Sequence, residues 1–416
     1  MEDNQFNDLL NDSIDFLEQI ITFPSLGGEE EEVIQFMYKK FLPLADEVEL
    51  VPLSDELLND PEYSSPIPNI KYDGRHYLRI RLKGNGSGKS VIFNAHADVV
   101  PPSAKDKDQF SPYRQNGAVY GRGASDDKGQ IAVLYLLLKI IKEEKLAING
   151  DIIFHIVVEE ENGGNGTLAA IRGGDKADAV VVLEASNLNI FTSVRGALWF
   201  KANFSGKSGH SGFSGKNISA LKLAVQAMQI LENYHGKLLA ESKGIPLFDE
   251  FDNPMPITFG KLQAGNWPAA TPNKAVLEGV LGFLPNKNRF EVMEEMEEAI
   301  LQNGDEDLRE NFNLEFTYRH DGFILDTNHP LVTTLSDAIS QEGIEPVNKA
   351  MVASCDGWFY SKLLNIPTVV FGAGNLKTAH TSDEHIPIKE VGQAAKILFG
   401  FLKQWNDSTI STTESS

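Results

Sequence analysis

The sequence contains a single cysteine, Cys355, in a chain of 416 residues. One thiol excludes a disulfide bond within the chain and fits a reducing compartment. The surrounding segment, S354-C-D-G357, offers no context that is typical of a thiol protease. The sequence therefore predicts neither a disulfide-stabilised fold nor catalysis by a thiol.

Positive charge and long apolar runs are also scarce. Lys and Arg number 37 against 59 Asp and Glu, which gives a formal net charge of -22. Nucleic acids and anionic membrane surfaces are bound through clustered Lys and Arg, so this charge argues against both as partners. No apolar stretch reaches the roughly 18 residues of a membrane-spanning helix, and the acidic start M1-E-D-N-Q5 lacks the basic region of a secretory signal. We expect a cytoplasmic protein.

The periodic segments at both ends of the chain are typical of an α/β fold. Residues 91–95 and 151–158 form short apolar strands, and residues 129–142 form a helix with a wide apolar face. Strands that alternate with helices predict a mainly parallel mixed sheet flanked by helices.

The pattern changes in the middle of the chain. Half-exposed strands and two helices there predict an inserted α+β domain with an antiparallel sheet. We therefore predict a discontinuous main domain of residues 1–193 and 320–406, an inserted domain of residues 194–319, and a disordered tail of residues 407–416.

Three short segments place one histidine and many carboxylates where strands end or a helix begins. These segments are N94-A-H-A-D98, G121-R-G-A-S-D-D-K-G129 and V158-E-E-E-N162. His96 and Asp98 lie two residues apart, so strand geometry points both side chains to the same side. Each segment also has a simpler interpretation: a strand-end histidine that bonds its neighbour, a helix cap, or a solvated acidic turn.

Two further segments add candidate ligands. Glu184 ends an apolar strand, and His380 follows the glycine-rich turn F371-G-A-G374, with His385 as a competing ligand. Nitrogen and carboxylate oxygen are the ligands of catalytic zinc sites, and a carboxylate beside a ligand can accept a proton from water. Five candidate ligands at consecutive strand ends of one sheet predict a two-metal hydrolase.

The ordered motifs resemble a known family, the di-zinc amidohydrolases. The family includes acetylornithine deacetylase, succinyl-diaminopimelate desuccinylase, aminoacylase and glutamate carboxypeptidase, and the resemblance runs from about residue 10 to 405. It implies that the discontinuous domain is catalytic and that the inserted domain is a lid and a dimerisation surface. It also implies two Zn²⁺ per chain, although carboxylate-rich sites also accept Co²⁺ or Mn²⁺.

The resemblance assigns a role to each ligand by position. His96 and Glu184 resemble the ligands of one zinc ion, and Glu161 and His380 those of the other. Asp126 resembles the carboxylate that bridges the two ions.

Two neighbouring residues complete the implied catalytic set. Glu160, directly before a ligand, resembles the general base, and Asp98 resembles the residue that hydrogen-bonds the histidine ligand. The family also carries a cis peptide bond after the bridging aspartate, here between Asp126 and Asp127.

In the inserted domain, His210 resembles a histidine that stabilises the oxyanion, often from the partner subunit of a homodimer. Residues 201–204 are expected to be an edge strand that helps to pair the subunits. Arg195 resembles a substrate-contacting arginine of the desuccinylases. The chain departs from many relatives at Ala269, where they carry Asn, and at Gly282, where they carry an Arg that binds the substrate carboxylate.

The implied reaction is hydrolysis of an amide in a small-molecule substrate. Water held between the two zinc ions attacks the carbonyl, and Glu160 accepts a proton and then donates it to the leaving amine. Glu184 favours an N-acyl amino acid or related amine deacylase, because related aminopeptidases and dipeptidases tend to carry Asp there. A carboxypeptidase or dipeptidase is the alternative, and a non-catalytic binding protein on the same fold is a second.

Overall fold

The computed structural model describes residues 1–103, 108–210 and 217–408. The strands of this described part are, in chain order, β1 (Glu47–Pro52), β2 (His76–Leu82), β3 (Val91–His96), β4 (Tyr113–Gln115), β5 (Ala118–Tyr120), β6 (Ile152–Val157), β7 (Val180–Val182), β8 (Ile190–Val194), β9 (Gly196–Ser205), β10 (Ile257–Ala264), β11 (Lys274–Phe283), β12 (Phe312–His320), β13 (Phe323–Ile324), β14 (Asn348–Met351), β15 (Thr368–Val370) and β16 (His385–Pro387). The α-helices are α1 (Asp3–Ile21), α2 (Glu31–Phe41), α3 (Lys128–Glu144), α4 (Asn165–Arg172), α5 (Ala220–Glu241), α6 (Arg289–Asn303), α7 (Glu306–Glu310), α8 (Pro330–Gln341) and α9 (Ile388–Trp405).

The main domain is built on one mixed sheet with the strand order β1-β2-β6-β3-β7-β15-β8-β13, and β14 pairs with β8. The central strands β6, β3, β7 and β15 run parallel, and the outer strands are mostly antiparallel. Every residue of β3, β6 and β7 is buried, because helices cover both faces of a parallel sheet. The carboxyl ends of four neighbouring strands therefore meet at one edge, where open α/β sheets place their sites.

Helix α3 anchors this edge to the core. It packs against α1 and α9, and its residues 128–138 are all buried. A helix that is apolar around most of its circumference is stable only inside the protein. The turn that precedes α3 is therefore held in the centre of the molecule.

The inserted domain is a four-stranded antiparallel sheet with the order β10-β11-β9-β12. Helices α5 and α6 pack on one face and enclose a second hydrophobic core. The chain enters this sheet between β8 and β9 and leaves it between β12 and β13. The α/β architecture with an antiparallel insertion is the one that the sequence predicts.

One detail of the predicted insertion is wrong. Residues 201–204 belong to β9, which is paired on both sides, with β11 and with β12. The edge strands are β10 and β12 instead. Alternation of apolar and polar residues indicates a half-exposed strand, but it does not distinguish an edge strand from a central one.

The predicted tail falls largely outside the described residues. Asp407 lies within them and accepts a hydrogen bond from Asn149 Nδ2 at 2.8 Å, whereas residues 409–416 are not described. In the described part of the chain, no helix is both long and apolar enough to cross a membrane.

Candidate metal centre

Two groups of three side chains lie at the carboxyl ends of the central strands. The first group, hereafter the inner group, is His96, Asp126 and Glu184. The second, hereafter the outer group, is Asp126, Glu161 and His380. Within each group the ligand atoms lie within 4.8 Å of one another, which is close enough for one metal ion to contact all three.

Three of the five residues end or follow strands of the main sheet. His96 is the last residue of β3, Glu184 follows β7, and Glu161 follows β6. His380 lies in a loop ten residues after the end of β15. The expectation that all ligands sit at strand ends of one sheet is therefore wrong in part, since neither Asp126 nor His380 directly follows a strand of the main sheet.

Asp126 is held by the turn before α3. The strand before this turn is β5, which belongs to a separate small sheet of β16, β5 and β4. The turn folds back onto the start of α3, and a Cβ atom at Gly129 would lie 2.1 Å from Ala124 O. Only glycine permits this approach, so Gly129 helps to fix the position of Asp126.

Asp126 offers one carboxylate oxygen to each group. Its Oδ1 lies 3.1 Å from His96 Nε2, and its Oδ2 lies 3.1 Å from His380 Nε2. Glu161 Oε1 is 2.9 Å from His380 Nε2, and Glu184 Oε1 is 4.0 Å from His96 Nε2. This arrangement of nitrogen and oxygen donors around a shared carboxylate fits two divalent cations.

The peptide bond between Asp126 and Asp127 is cis, as the resemblance implies. The two neighbouring carboxylates have different partners. Asp126 contacts the ligand histidines, whereas Asp127 Oδ2 accepts the main-chain N–H of His96 at 3.0 Å. Asp127 therefore ties the turn before α3 to the end of β3.

Asp98 does more than the sequence indicates. Its carboxylate accepts the main-chain N–H groups of Glu160 and Glu161, at 3.1 and 3.0 Å. The His96 Nδ1 atom lies 3.0 Å from Asp98 O and 3.4 Å from Asp98 Oδ1. Asp98 thus orients His96, the candidate ligand, and also fixes the main chain of the candidate base.

Glu160 is buried, and the charges of His96, Glu184 and Glu161 act on its carboxyl. Burial raises the pKa of its carboxyl well above the ordinary value, and Asp356 and Glu184 raise it further. A carboxyl group that readily takes up a proton beside a metal site suits a general base.

The residue before the base, Glu159, has a φ of 62°, a left-handed conformation that is unusual for glutamate. Its carboxylate is held by a salt bridge from Arg75 and by hydrogen bonds from Tyr72 OH and Asn165 Nδ2, at 2.9 and 3.0 Å. No sequence pattern pointed to Tyr72 or Arg75, because both lie in or beside a loop without periodicity. They hold the turn that carries Glu160.

The two histidines of these groups, His96 and His380, are strongly basic in the absence of a cation. Burial lowers the pKa of His96, but Asp98 and Asp126 outweigh this effect and leave it well above the ordinary value. Hydrogen bonds to Asp126 and Glu161 raise the pKa of His380 to about 11. The same two imidazoles lower the pKa of Asp126 against the effect of its burial.

Two other residues considered from the sequence lie apart from the ligand groups. His385 belongs to β16, stacks on Tyr120 with ring centroids 4.7 Å apart, and places its Nδ1 2.8 Å from Asp383 O. Cys355 is buried, and burial raises the pKa of its thiol well above the ordinary value. A thiol in this environment is a poor nucleophile.

Arg195 lies over Gly282. Its Nη1 would be 2.3 Å from a Cβ atom at position 282, and it donates to Gly196 O while Nε donates to Val352 O. Burial lowers the pKa of the guanidinium to about 10, so it remains charged at neutral pH. The chain therefore places an arginine head group beside the position from which many relatives extend one.

Tyr318, which the sequence did not single out, lies near this arginine. Its ring stacks on Trp199, with centroids 5.2 Å apart, and contacts the tilted ring of His320, with centroids 3.9 Å apart. Burial and, after it, the charge of Glu160 raise the pKa of the Tyr318 hydroxyl well above the ordinary value. Tyr318 is thus a candidate wall residue between Glu160 and Arg195.

His210 belongs to neither ligand group. It is exposed in the inserted domain and forms an isolated β-bridge with Ala270, and residues 211–216 after it lie outside the described part. Its role at the oxyanion stays a prediction.

Known proteins resemble this chain in sequence and in fold. The profile of peptidase family M20/M25/M40 matches residues 92–404. N-formyl-4-amino-5-aminomethyl-2-methylpyrimidine deformylase from Bacillus subtilis is 27% identical over 366 residues, with 80% of this chain and 84% of the relative covered. A probable succinyl-diaminopimelate desuccinylase from Staphylococcus aureus is 24% identical over 330 residues, with 73% of this chain and 80% of the relative covered.

Among solved structures, the dipeptidase Dug1p from Saccharomyces cerevisiae superposes with a TM-score of 0.78 at 14% identity, covering 97% of this chain and 98% of that one. This likeness shows the fold. Together with the family match, it confirms the resemblance and the prediction of a hydrolase that acts on amide bonds. The chain belongs to peptidase family M20/M25/M40.

Proposed function

We propose that this chain is a di-zinc deacylase that hydrolyses the amide bond of a small N-acyl amino acid or related amine. The observation that carries the proposal is the position of Asp126 between two ligand groups, with Glu160 buried beside them. Co²⁺ or Mn²⁺ could replace zinc at such ligands. Two divalent cations bound there would polarise the scissile carbonyl and lower the pKa of the attacking water and of the nearby carboxyls.

The chain's own residues direct the proton transfers. Glu160 accepts a proton from the water as the water oxygen adds to the carbonyl carbon. It then donates that proton to the amide nitrogen as the C–N bond breaks. The Asp98 carboxylate keeps Glu160 in place by accepting the main-chain N–H of Glu160. Arg75 and Tyr72 hold the preceding residue. One carboxylate therefore serves first as base and then as acid.

Two observations bear on the substrate. The named relatives include a deformylase and a probable desuccinylase, both of which remove an acyl group from an amine. Arg195 presents a charged head group beside Gly282 and has no carboxylate partner among the described residues. We propose that it binds an anionic or carbonyl oxygen of the substrate, in place of the arginine that many relatives carry at 282.

The same arginine supports the second candidate function, a carboxypeptidase or dipeptidase. A peptide substrate also carries a terminal carboxylate that a guanidinium could bind. The two candidates differ in the acyl group, which is small in the deacylases and an aminoacyl group in the peptidases.

A panel of amides tests the proposal. Zinc-loaded and cobalt-loaded protein would be incubated with N-formyl, N-acetyl and N-succinyl amines and amino acids, beside dipeptides, and the free amine would be measured. We expect cleavage of an acyl amine, with Arg195→Lys raising KM for carboxylate-bearing substrates only. Cleavage of peptides alone would favour the second candidate, and no cleavage with two cations bound per chain would contradict both.

We further propose a homodimer that forms through the inserted domain and places His210 in the partner's site. Among the described residues β10 pairs only with β11, and Leu262 and Trp267 near this edge are exposed. Mixing inactive His210→Ala and Glu160→Ala chains tests the arrangement, because a mixed dimer would contain one site with both residues intact. We expect activity to reappear, whereas a monomeric mass in light scattering would overturn the proposal.

A further inference from the structure

Glu384 holds the main chain of the bridging aspartate. Its side chain is fully buried, and Oε1 accepts the N–H groups of Ser125 and Asp126, both at 3.1 Å. A carboxylate that accepts two main-chain N–H groups fixes the direction of that peptide segment. The orientation of the Asp126 carboxylate toward both ligand groups therefore depends on Glu384.

Arg122 continues this chain of contacts toward the outer group. Its buried guanidinium pairs through Nη1 with Glu384 Oε2 and donates through Nη2 to Ser103 Oγ at 2.6 Å and to Pro101 O at 3.2 Å. Since Ser103 Oγ accepts from Arg122, its own proton is available, and the hydroxyl donates it to His380 O at 2.5 Å. One continuous path thus joins the main chains of Asp126 and His380.

The loop of His380 needs such support. His380 has a φ of 60°, its side chain is 51% exposed, and it lies in no helix or strand. Gln109 provides a second contact, since it accepts the N–H of Ser103 at 2.7 Å and donates to Thr381 O at 2.9 Å. Both contacts pass through the segment that carries Ser103.

We propose that Arg122 and Ser103 are positioning residues that set the distance between the two ligand groups by linking Glu384, and so Asp126, to His380. The inference rests on the proposed two-metal function. Neither residue touches the ligand atoms. They act through the main chain. Their effect should fall mainly on the outer group, because His380 lies in a loop, whereas His96 and Glu184 of the inner group are held by β3 and β7.

Cation binding to the metal-free protein tests this assignment. Zn²⁺ and Co²⁺ would be titrated calorimetrically into the wild type and into Ser103→Ala, whose side chain is exposed and outside the core. We expect the affinity for the second cation to fall about tenfold or more, as is usual when an outer contact of a ligand is removed, with the first cation unchanged. Ser340→Ala is the matched control, since it removes an exposed hydroxyl-to-carbonyl bond of 2.9 Å within α8, and we expect no change.

A double-mutant cycle tests whether Arg122 acts through Ser103. Arg122→Lys keeps a positive charge beside Glu384 but lacks the two-pronged head group that also reaches Ser103. We expect Arg122→Lys to weaken binding of the second cation. The double variant Arg122→Lys/Ser103→Ala should bind that cation no more weakly than Arg122→Lys alone.

Additive losses, or a Ser103→Ala variant that binds both cations like the wild type, would overturn the assignment. A cobalt absorption spectrum of the second site gives an independent readout, which should change in Ser103→Ala and not in Ser340→Ala. Failure of the wild type to bind two cations would instead reject the proposed function, and this inference with it.

Discussion

The inner and outer ligand groups share Asp126 but are built in different ways. In the inner group, His96 is 2% exposed and Glu184 is 3% exposed, and both are fixed at the ends of central parallel strands. In the outer group, the His380 side chain is 51% exposed and comes from a loop. The inner group is thus buried at the edge of the main sheet, whereas the outer group depends on a histidine from an exposed loop.

This difference predicts which group keeps its geometry when no cation is bound. Residues in a close-packed core cannot move without disturbing their neighbours, so the inner group should keep its geometry with or without a cation. A loop that is held by a few hydrogen bonds can open locally at little cost in free energy. We therefore expect the inner group to bind the first cation and the outer group to bind the second, more weakly.

The largest expected effect comes from the residue that both groups share. Asp126→Ala removes one ligand from each group, so we expect the loss of both cations and of all activity above background. Metal content after dialysis and the rate of amide hydrolysis measure these effects. A variant that keeps one tightly bound cation would show that one group does not use Asp126.

Removal of Glu160, which belongs to neither group, should separate chemistry from metal binding. We expect Glu160→Ala to keep both cations and to lose about 10²- to 10⁴-fold in kcat, the usual contribution of a general base. Metal analysis and steady-state kinetics on the same preparation make the measurement. An active alanine variant would exclude Glu160 as the base.

Removal of one histidine from each group tests the comparison directly. His96→Ala should abolish the first site and lower the free energy of unfolding of the metal-free protein by about 1–3 kcal/mol, because buried polar partners lose a hydrogen bond. His380→Ala should abolish only the second site and cost at most about 1 kcal/mol, because its ion pairs are half exposed. Urea denaturation gives both values, and equal losses would contradict the comparison.

The sequence predicted the inner part of the molecule better than the outer part. The helix expected at residues 129–142 is α3 (Lys128–Glu144), because a wide apolar face and buried neighbours leave little choice of structure. In contrast, no strand was assigned to β10, an edge strand in which all residues except Ile257 and Phe259 are exposed. Exposed edge strands lack the alternation of apolar and polar residues on which such predictions depend.

The same division holds for the site. The candidate ligands were recognisable from short motifs, because each ends or follows a strand or follows a glycine-rich turn. The residues that hold them were not, since Arg122, Glu384 and Ser103 meet only through contacts between distant segments. Likewise, nothing in the sequence indicated that Arg195 covers Gly282.

The smallest expected effect is the pH dependence of the second cation. In the metal-free protein the pKa of His380 is raised to about 11, so its positive charge stabilises the fold fully below the ordinary value of 6.5 and is lost only as the pH rises through about 11. At neutral pH a cation must therefore displace the proton of His380. Burial raises the pKa of Glu161 to about 7, so a fraction of the Glu161 carboxyls also release a proton when the cation binds. Between pH 6 and 8, the affinity of the outer group for the cation should rise about tenfold per pH unit for every proton that binding releases. Calorimetric titration in buffers with different ionisation enthalpies counts these protons, and an affinity that is independent of pH would show that His380 is already neutral before the cation binds.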